Sequence, residues 1–417
     1  MKKILSFTLA LAALVTVAAA CSDGGSANAD MHKMYVRDET KSREITVTFE
    51  NSSSGDKTEV AMEKVGESDD YFTFACEGDA ARYNRAYITY DGSKNLGVAF
   101  NKYVSGWSIT SFGLVPYTEG GEFTDKVEFR TESFDYKSDK KEVYIWTPKD
   151  YDPDSEEKYS VVYLLDGETK LSRDFSDAMN NGCWNVAESV TSAMSLSGNK
   201  AIIVAVSNPE FTRYDELVPD IGELSDGLTF NSYKQGKLFC DFVIEKVVPF
   251  VEENYNVYTD ASHNSIGGGS LAGLESFYIG MEHPEKFGAI GAFSPTFASF
   301  YTSTWMKYLG EKTFDESSPF IYFYSGDADD NEWSAKGMID CLQKLDYPGE
   351  KMAYNKYPNG KHSVPYWRNV FPEYLEAVFD KKVEALEGKA MLNSFEIIPQ
   401  YESDSEFKPE SVKLKQA

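Results

Sequence analysis

Between residues 33 and 126 apolar and polar positions alternate in short runs. The runs are Glu44-Ile45-Thr46-Val47-Thr48-Phe49, Tyr71-Phe72-Thr73-Phe74-Ala75, Arg85-Ala86-Tyr87-Ile88-Thr89-Tyr90, Gly97-Val98-Ala99-Phe100 and Trp107-Ser108-Ile109-Thr110. Turn-forming clusters separate them, among them Asn51-Ser52-Ser53-Ser54-Gly55-Asp56 and Asp91-Gly92-Ser93. A period of two places alternate side chains on one face of a strand, and short strands at this spacing predict a β-sandwich over 33–126.

From Phe129 the pattern changes. Val143 to Trp146, Val161 to Leu165, Ala201 to Val206 and Asn264 to Gly267 read as strands, and Lys234 to Asn254 as one long helix. Pro319 to Tyr324 and Lys351 to Tyr357 read as further strands, with a helix over Trp367 to Phe379. Strands and helices in alternation predict an α/β domain over 127–382, its sheet mostly parallel and flanked by helices. The polar stretch Phe211 to Tyr233 is expected to form a lid or acyl-site wall, with Tyr214 and Phe230 lining it. Residues 383–417 read as a charged extension in which Phe395-Glu396-Ile397-Ile398 is a candidate edge strand.

The first residues carry an address. Met1-Lys2-Lys3 precedes an uncharged run to Ala20, long enough for the core of a signal peptide and short for an anchored membrane span. Ala18-Ala19-Ala20 before Cys21 predicts cleavage after residue 20, lipidation of Cys21 and a linker over 21–32, so the membrane is expected as a partner only through that anchor. His32 falls within this linker. With 41 Lys and Arg against 67 Asp and Glu, the net charge of −26 repels phosphate backbones, which argues against a nucleic-acid partner. Cys76, Cys183, Cys240 and Cys341 are too scattered for a disulfide framework or a metal cluster and are expected to be buried free thiols.

The chemistry concentrates at Ser265-Ile266-Gly267-Gly268-Gly269-Ser270-Leu271-Ala272-Gly273-Leu274. A strand-to-helix turn that lifts a serine hydroxyl clear of a sheet strains the backbone, so the residues two before and two after must be tiny. Here they are Gly268 and Ala272, the latter one methyl larger than the usual glycine. Such a serine needs a histidine to take its proton and a carboxylate to orient that histidine. Of four histidines, His263 lies at the far end of the strand feeding the turn and His283 at the far end of the following helix. His362, in the turn-rich Tyr357-Pro358-Asn359-Gly360-Lys361-His362-Ser363, remains as the base. The acid is expected from Asp327, Asp329 or Asp330 in the loop after Pro319 to Tyr324, and Asp329 is the choice.

At these residues the chain resembles the putative-esterase branch of the α/β-hydrolases, which includes feruloyl, acetyl-xylan and trilactone siderophore esterases. Further stretches carry the likeness: Tyr159 to Gly167, Arg213 to Pro219, His283 to Gly288, Phe293-Ser294-Pro295 and Gly360-Lys361-His362. The resemblance implies an α/β-hydrolase fold, roles for Ser270, Asp329 and His362, and an oxyanion hole from the backbone N–H groups of Leu271 and Glu168. Ala272 and Glu168 depart from the pattern of many relatives. The alternating region faintly resembles small carbohydrate-binding modules, in which Tyr87, Tyr90 and Trp107 would be platforms for sugar rings. Together these imply a serine carboxylic-ester hydrolase that removes feruloyl or acetyl groups from plant polysaccharide and needs no cofactor. The alternatives are a trilactone siderophore esterase and a catalytically inert glycan-binding lipoprotein.

Overall fold

A computed structural model describes residues 31–110, 113–117, 127–171, 182–226, 231–328 and 330–381. Cys21, Asp329, Phe230 and the candidate strand at 395–398 lie outside the described residues.

Among the described residues nine strands form the N-terminal region: β1 (Met31–Asp38), β2 (Ile45–Glu50), β3 (Lys57–Ala61), β4 (Glu63–Glu67), β5 (Phe72–Asp79), β6 (Arg85–Tyr90), β7 (Ser93–Ala99), β8 (Gly106–Thr110) and β9 (Gly113–Tyr117). They make two sheets, in the orders β4-β5-β1-β8-β9 and β3-β2-β6-β7. Val36, Phe74, Trp107 and Ile109 of the first share one buried cluster with Val47, Phe49, Ile88 and Val98 of the second. This is the expected sandwich. It begins earlier than the pattern implied, because His32 is not linker: it lies in β1 and its Nε2 pairs with the Val104 carbonyl at 2.7 Å.

Burial between the sheets excludes Trp107 as a platform for a sugar ring. Trp107 is fully buried between the sheets, Tyr87 is 7% exposed, and Tyr90 packs partly buried against the same core. Alternation placed these rings on strands but not on a face. A ring that fills the space between two sheets has no side left for a ligand.

The second region contains β10 (Arg130–Tyr136), β11 (Asp139–Trp146), β12 (Ser160–Leu165), β13 (Ala201–Val206), β14 (Asn264–Gly269), β15 (Ala289–Phe293), β16 (Phe320–Gly326) and β17 (Met352–Tyr357). Its helices are α1 (Val186–Ser197), α2 (Glu210–Glu216), α3 (Gly236–Phe242), α4 (Val248–Asn254), α5 (Leu271–Glu282), α6 (Thr302–Gly310), α7 (Glu332–Lys344) and α8 (Val364–Asp380). One eight-stranded sheet runs β10-β11-β13-β12-β14-β15-β16-β17. From β13 to β17 every pairing is parallel, while β10 and β11 form an antiparallel hairpin joined antiparallel to β13. The sheet is therefore mixed. Near-continuous apolar strands such as Ser160–Leu165 and Ala201–Val206 are buried on both faces, one cluster holding Tyr163, Ile266 and Ile290 and the other Val162, Leu164 and Tyr322.

The helix expected over 234–254 runs unbroken from residue 236 to residue 254, with a π-type bulge where α3 passes into α4. Pro249 has no N–H to give to the turn before it, and a wider π-type turn over Val243–Val247 joins α3 to α4. The stretch Phe211 to Tyr233, expected to form a lid or wall, begins within α2.

The sandwich is seated on α1 and α8. Ser105 N–H donates to Ser192 Oγ at 3.0 Å, Asn101 Nδ2 donates to the Pro372 carbonyl at 3.2 Å, and Lys102 pairs with Asp380 at 2.7 Å. Tyr103 belongs to the core of the α/β region, where its ring lies 5.8 Å from that of Phe379.

Candidate active site

β14 ends in Gly268-Gly269 and α5 begins at Leu271, leaving Ser270 alone in the turn between them. Its backbone sits at φ 62° and ψ −123°, a region that a residue with a side chain occupies only when its surroundings force it there. Ser270 N–H is held by the Phe293 carbonyl at 2.8 Å. A Cβ on residue 268 would stand 2.6 Å from Ala272 Cβ, so glycine is required there, and the methyl of Ala272 is accommodated because it is present.

His362 lies in the loop between β17 and α8. Its Nδ1–H donates to Asp330 Oδ1 at 2.9 Å, which leaves Nε2 as the nitrogen able to accept a proton. Asp330 is the partner of His362, a correction to the choice of Asp329. Three further donors hold the Asp330 carboxylate: Gly326 N–H at 2.7 Å, Ser294 Oγ at 2.7 Å and Asn331 N–H at 2.7 Å. Burial opposes ionisation of this carboxyl. The hydrogen bond and charge of His362, with the Gly326 and Ser294 donors, outweigh that and keep it below the ordinary aspartate range.

Trp367 of α8 ties the elements together. Its ring lies 5.3 Å from that of His362, and a Cβ on Gly269, the neighbour of Ser270, would meet it at 2.8 Å. Its Nε1–H donates to Ser294 Oγ at 2.8 Å, completing the chain Trp367 to Ser294 to Asp330 to His362. Neither Trp367 nor Ser294 was singled out from the sequence, although Phe293-Ser294-Pro295 was one of the stretches carrying the resemblance.

The other histidines are elsewhere. His263 stacks on Tyr258 and pairs with Asp260 ahead of β14, and His283 caps the far end of α5 beside Glu285.

The two residues expected to supply oxyanion N–H groups lie at a helix start and in a tight turn. Leu271 opens α5, where the first-turn donors have no helical acceptor and the helix dipole favours an anion. Glu168 lies in the turn Gly167–Thr169, entered through the left-handed Asp166 at φ 56°. That turn is braced twice: Arg213 of α2 grips both Asp166 carboxylate oxygens at 2.8 Å, and Asn208 Oδ1 accepts Asp166 N–H at 3.1 Å. The Glu168 side chain accepts from Asn208 N–H at 3.2 Å. Burial, with Asp166 beside it, pushes the Glu168 carboxyl above its ordinary range. Lys170 in the same stretch is buried against the Trp184 ring at 4.1 Å, and burial pulls its ammonium down to about 8.

Residues 137–378, more than half of the 417, match the profile of the family described as "Esterase: Putative esterase". The chain belongs to this esterase family. Its mixed eight-stranded sheet flanked by helices is an α/β-hydrolase-like fold. Over 164 residues this esterase is 26% identical to "Uncharacterized protein YbbA" of Bacillus subtilis (strain 168), a match covering 39% of this chain and 60% of that protein. It is similar in structure to an IroE-like serine hydrolase from Shewanella oneidensis, with TM-score 0.47 and 20% identity over 61% of this chain and 79% of that one. An enterobactin esterase from Shigella flexneri aligns with TM-score 0.47 and 14% identity over 86% of this chain and 95% of that one. A ferulic acid esterase from Anaeromyces mucronatus aligns with TM-score 0.45 and 20% identity over 62% and 94%.

The esterase exposes aromatic side chains next to the braced turn. Phe211 is 83% exposed, Tyr214 40% and Tyr233 84%, and all three lie on or beside α2, the helix whose Arg213 holds Asp166. Tyr214 directly follows Arg213 on α2, and Tyr233 N–H donates to Asp215 Oδ1 of the same helix at 2.7 Å. Cys183, Cys240 and Cys341 are buried free thiols and Cys76 a partly buried one. Among the described residues no cluster of three or more His, Cys, Asp or Glu side chains is placed to hold a metal ion.

Proposed function

We propose that the protein is a serine carboxylic-ester hydrolase in which Ser270 is the nucleophile, His362 the base and Asp330 the acid. The observation that carries this reading is the His362 to Asp330 hydrogen bond in the loop against Trp367, whose ring also packs on the residue preceding the strained Ser270. His362 Nε2 takes the hydroxyl proton as Ser270 Oγ attacks the ester carbonyl. The N–H groups of Leu271 and Glu168 stabilise the oxyanion, and the protonated histidine returns its proton to the departing alcohol. Water then repeats the sequence on the acyl-enzyme. Asp330 stabilises the imidazolium and remains ionised throughout.

The substrate we infer is an acylated polysaccharide or oligosaccharide bearing feruloyl or acetyl groups. The exposed Phe211, Tyr214 and Tyr233 support an aromatic acyl group or a sugar ring near the site mouth, and the ferulic acid esterase among the structural neighbours is consistent with it. We further propose export as a lipoprotein through Cys21. Metabolic palmitate labelling should then vanish in a Cys21→Ala protein, and retained label would refute the anchor.

The test of the reaction is a panel of methyl ferulate, acetylated xylan and a simple aryl acetate, with Ser270→Ala as the blank. Ser270-dependent release of ferulate or acetate from the glycan is expected. Turnover of the aryl acetate alone would keep the mechanism and remove the polysaccharide. Equal rates in the wild type and Ser270→Ala proteins would remove the mechanism.

A further inference from the structure

Arg85 lies on β6 of the sandwich and is 2% exposed; one guanidinium nitrogen stays with the sandwich, donating to the Tyr87 hydroxyl at 3.4 Å, while another reaches out of it. That second nitrogen donates to Asn355 Oδ1 at 2.9 Å and to the Lys356 carbonyl at 2.9 Å, both on β17 of the α/β region. The guanidinium carbon lies 3.8 Å from the centroid of the Tyr357 ring, the last residue of β17. On its own side Arg85 is balanced by Glu50 at 3.7 Å. A buried cation that spends two hydrogen bonds on another domain's strand end fixes that end in position, because leaving such donors unpaired is costly.

Tyr357 is the root of the loop that carries His362. Its hydroxyl donates to the buried Glu373 of α8 at 2.6 Å, and Glu373 also accepts from Tyr322 at 2.7 Å and from Asn355. Its carbonyl accepts the N–H groups of Asp327 at 3.2 Å and Gly360 at 3.0 Å. The Gly360 carbonyl in turn accepts Ala328 N–H at 3.0 Å, and Asn359 N–H donates to Asp327 Oδ1 at 2.6 Å. The loops bearing Asp330 and His362 are thus stitched to one another at Tyr357 and Gly360. They approach so closely that a Cβ on Gly326 would fall 2.0 Å from the Gly360 carbonyl oxygen.

We propose that Arg85 of the sandwich is a positioning residue for the His362 to Asp330 pair, acting through Lys356 and Tyr357, which makes the sandwich a working part of the catalytic domain. The inference rests on the triad proposed above. Arg85 touches no reacting atom. Its effect is to hold the root of the histidine loop, and small misplacements of a base are expensive in rate.

The test compares Arg85→Met with Lys102→Ala, which removes the Lys102 to Asp380 pair from the same domain interface. In the full chain, kcat and KM on an aryl acetate, melting temperature, and hydrogen exchange over residues 357–363 are measured. Arg85→Met should lower kcat by about tenfold or more with KM within about twofold, and speed exchange over 357–363 by a similar factor. Lys102→Ala should change neither. If Arg85→Met does not fold, Arg85→Lys serves: one ammonium cannot stack on Tyr357 and hold two acceptors as a planar fork does, so the same split is expected at smaller size. A folded Arg85 variant with unchanged kcat and exchange overturns the proposal, as does an equal loss in Lys102→Ala. Should the wild type have no Ser270-dependent turnover, the hydrolase reading fails, while exchange over 357–363 still decides whether Arg85 holds the loop.

Discussion

Asp327, Asp329 and Asp330 share one loop, and their order in the chain gives no ground for choosing the acid. What distinguishes Asp330 is a set of donors from three other places: Gly326 at the end of β16, Ser294 after β15 and His362 after β17. Such convergence depends on sheet order, and that is why Ser270 and His362 were legible from motif and elimination while the acid was not. Asp330→Asn should lower kcat by about 10³-fold or more, since the histidine would lose its orienting acceptor. Asp329→Asn is the matched comparison, expected to stay within a small factor of wild type. Equal losses at both positions would leave the acid unassigned. Because its folded-state pKa is depressed, the stability Asp330 contributes is present above the ordinary aspartate range and is lost as pH falls through the lower, folded value.

Glu275 behaves in the opposite sense. It is fully buried on α5, neither carboxylate oxygen has a hydrogen-bond partner, and burial, with Glu216 adding to it, pushes its pKa well above the ordinary range. Its neutral form is therefore the one that fits, so its contribution is intact below the unfolded carboxylate value and is lost as pH rises toward the folded one. Glu275→Gln should raise the denaturant midpoint relative to wild type by an amount that grows from pH 4 to pH 8. A pH-independent difference would mean that the carboxyl titrates normally.

Among the elements, the turn around Ser270 is a fit between two small residues. Gly268→Ala should destabilise the protein by about 1–3 kcal/mol, because the new methyl meets the Ala272 methyl and the Ala272 carbonyl, the latter at 2.8 Å. Adding Ala272→Gly should recover part of that loss and not all, since the carbonyl contact remains. Full recovery in thermal denaturation would place the conflict in the methyl pair alone. The strongly apolar strands β12, β13 and β16 were readable because burial on both faces leaves almost no polar interruption. β3 and β4, Lys-Thr-Glu-Val-Ala and Glu-Lys-Val-Gly-Glu, were not: their side chains are mostly exposed, and only pairing with β2 and β5 makes them strands. Likewise α2 carries Arg213 for a contact with Asp166, a role that helical periodicity does not record.

For the molecule as a whole, the alternating and α/β regions were separable by pattern, but the surface joining them was not. Tyr103 lies among the side chains of α1 and α8, and the buried Arg85 finds two acceptors on β17, so neither region is complete alone. A chain lacking residues 31–117 should accordingly melt at a lower temperature than the full protein, with exposed apolar surface on α1 and α8 detectable by dye binding. An unchanged melting temperature would mean that the α/β region stands by itself. In the intact protein a single cooperative transition is expected, because the two cores share a boundary.

Arg85 and Asn355 are 270 positions apart in the chain. A ribosome makes the sandwich first, yet the guanidinium it would bury has only Glu50 and Tyr87 beside it, and lacks Asn355 and the Lys356 carbonyl, until the last strand of the large sheet has been made. Loop closure over such a distance comes late in folding, so the newly made sandwich must wait with a cation exposed or poorly paired.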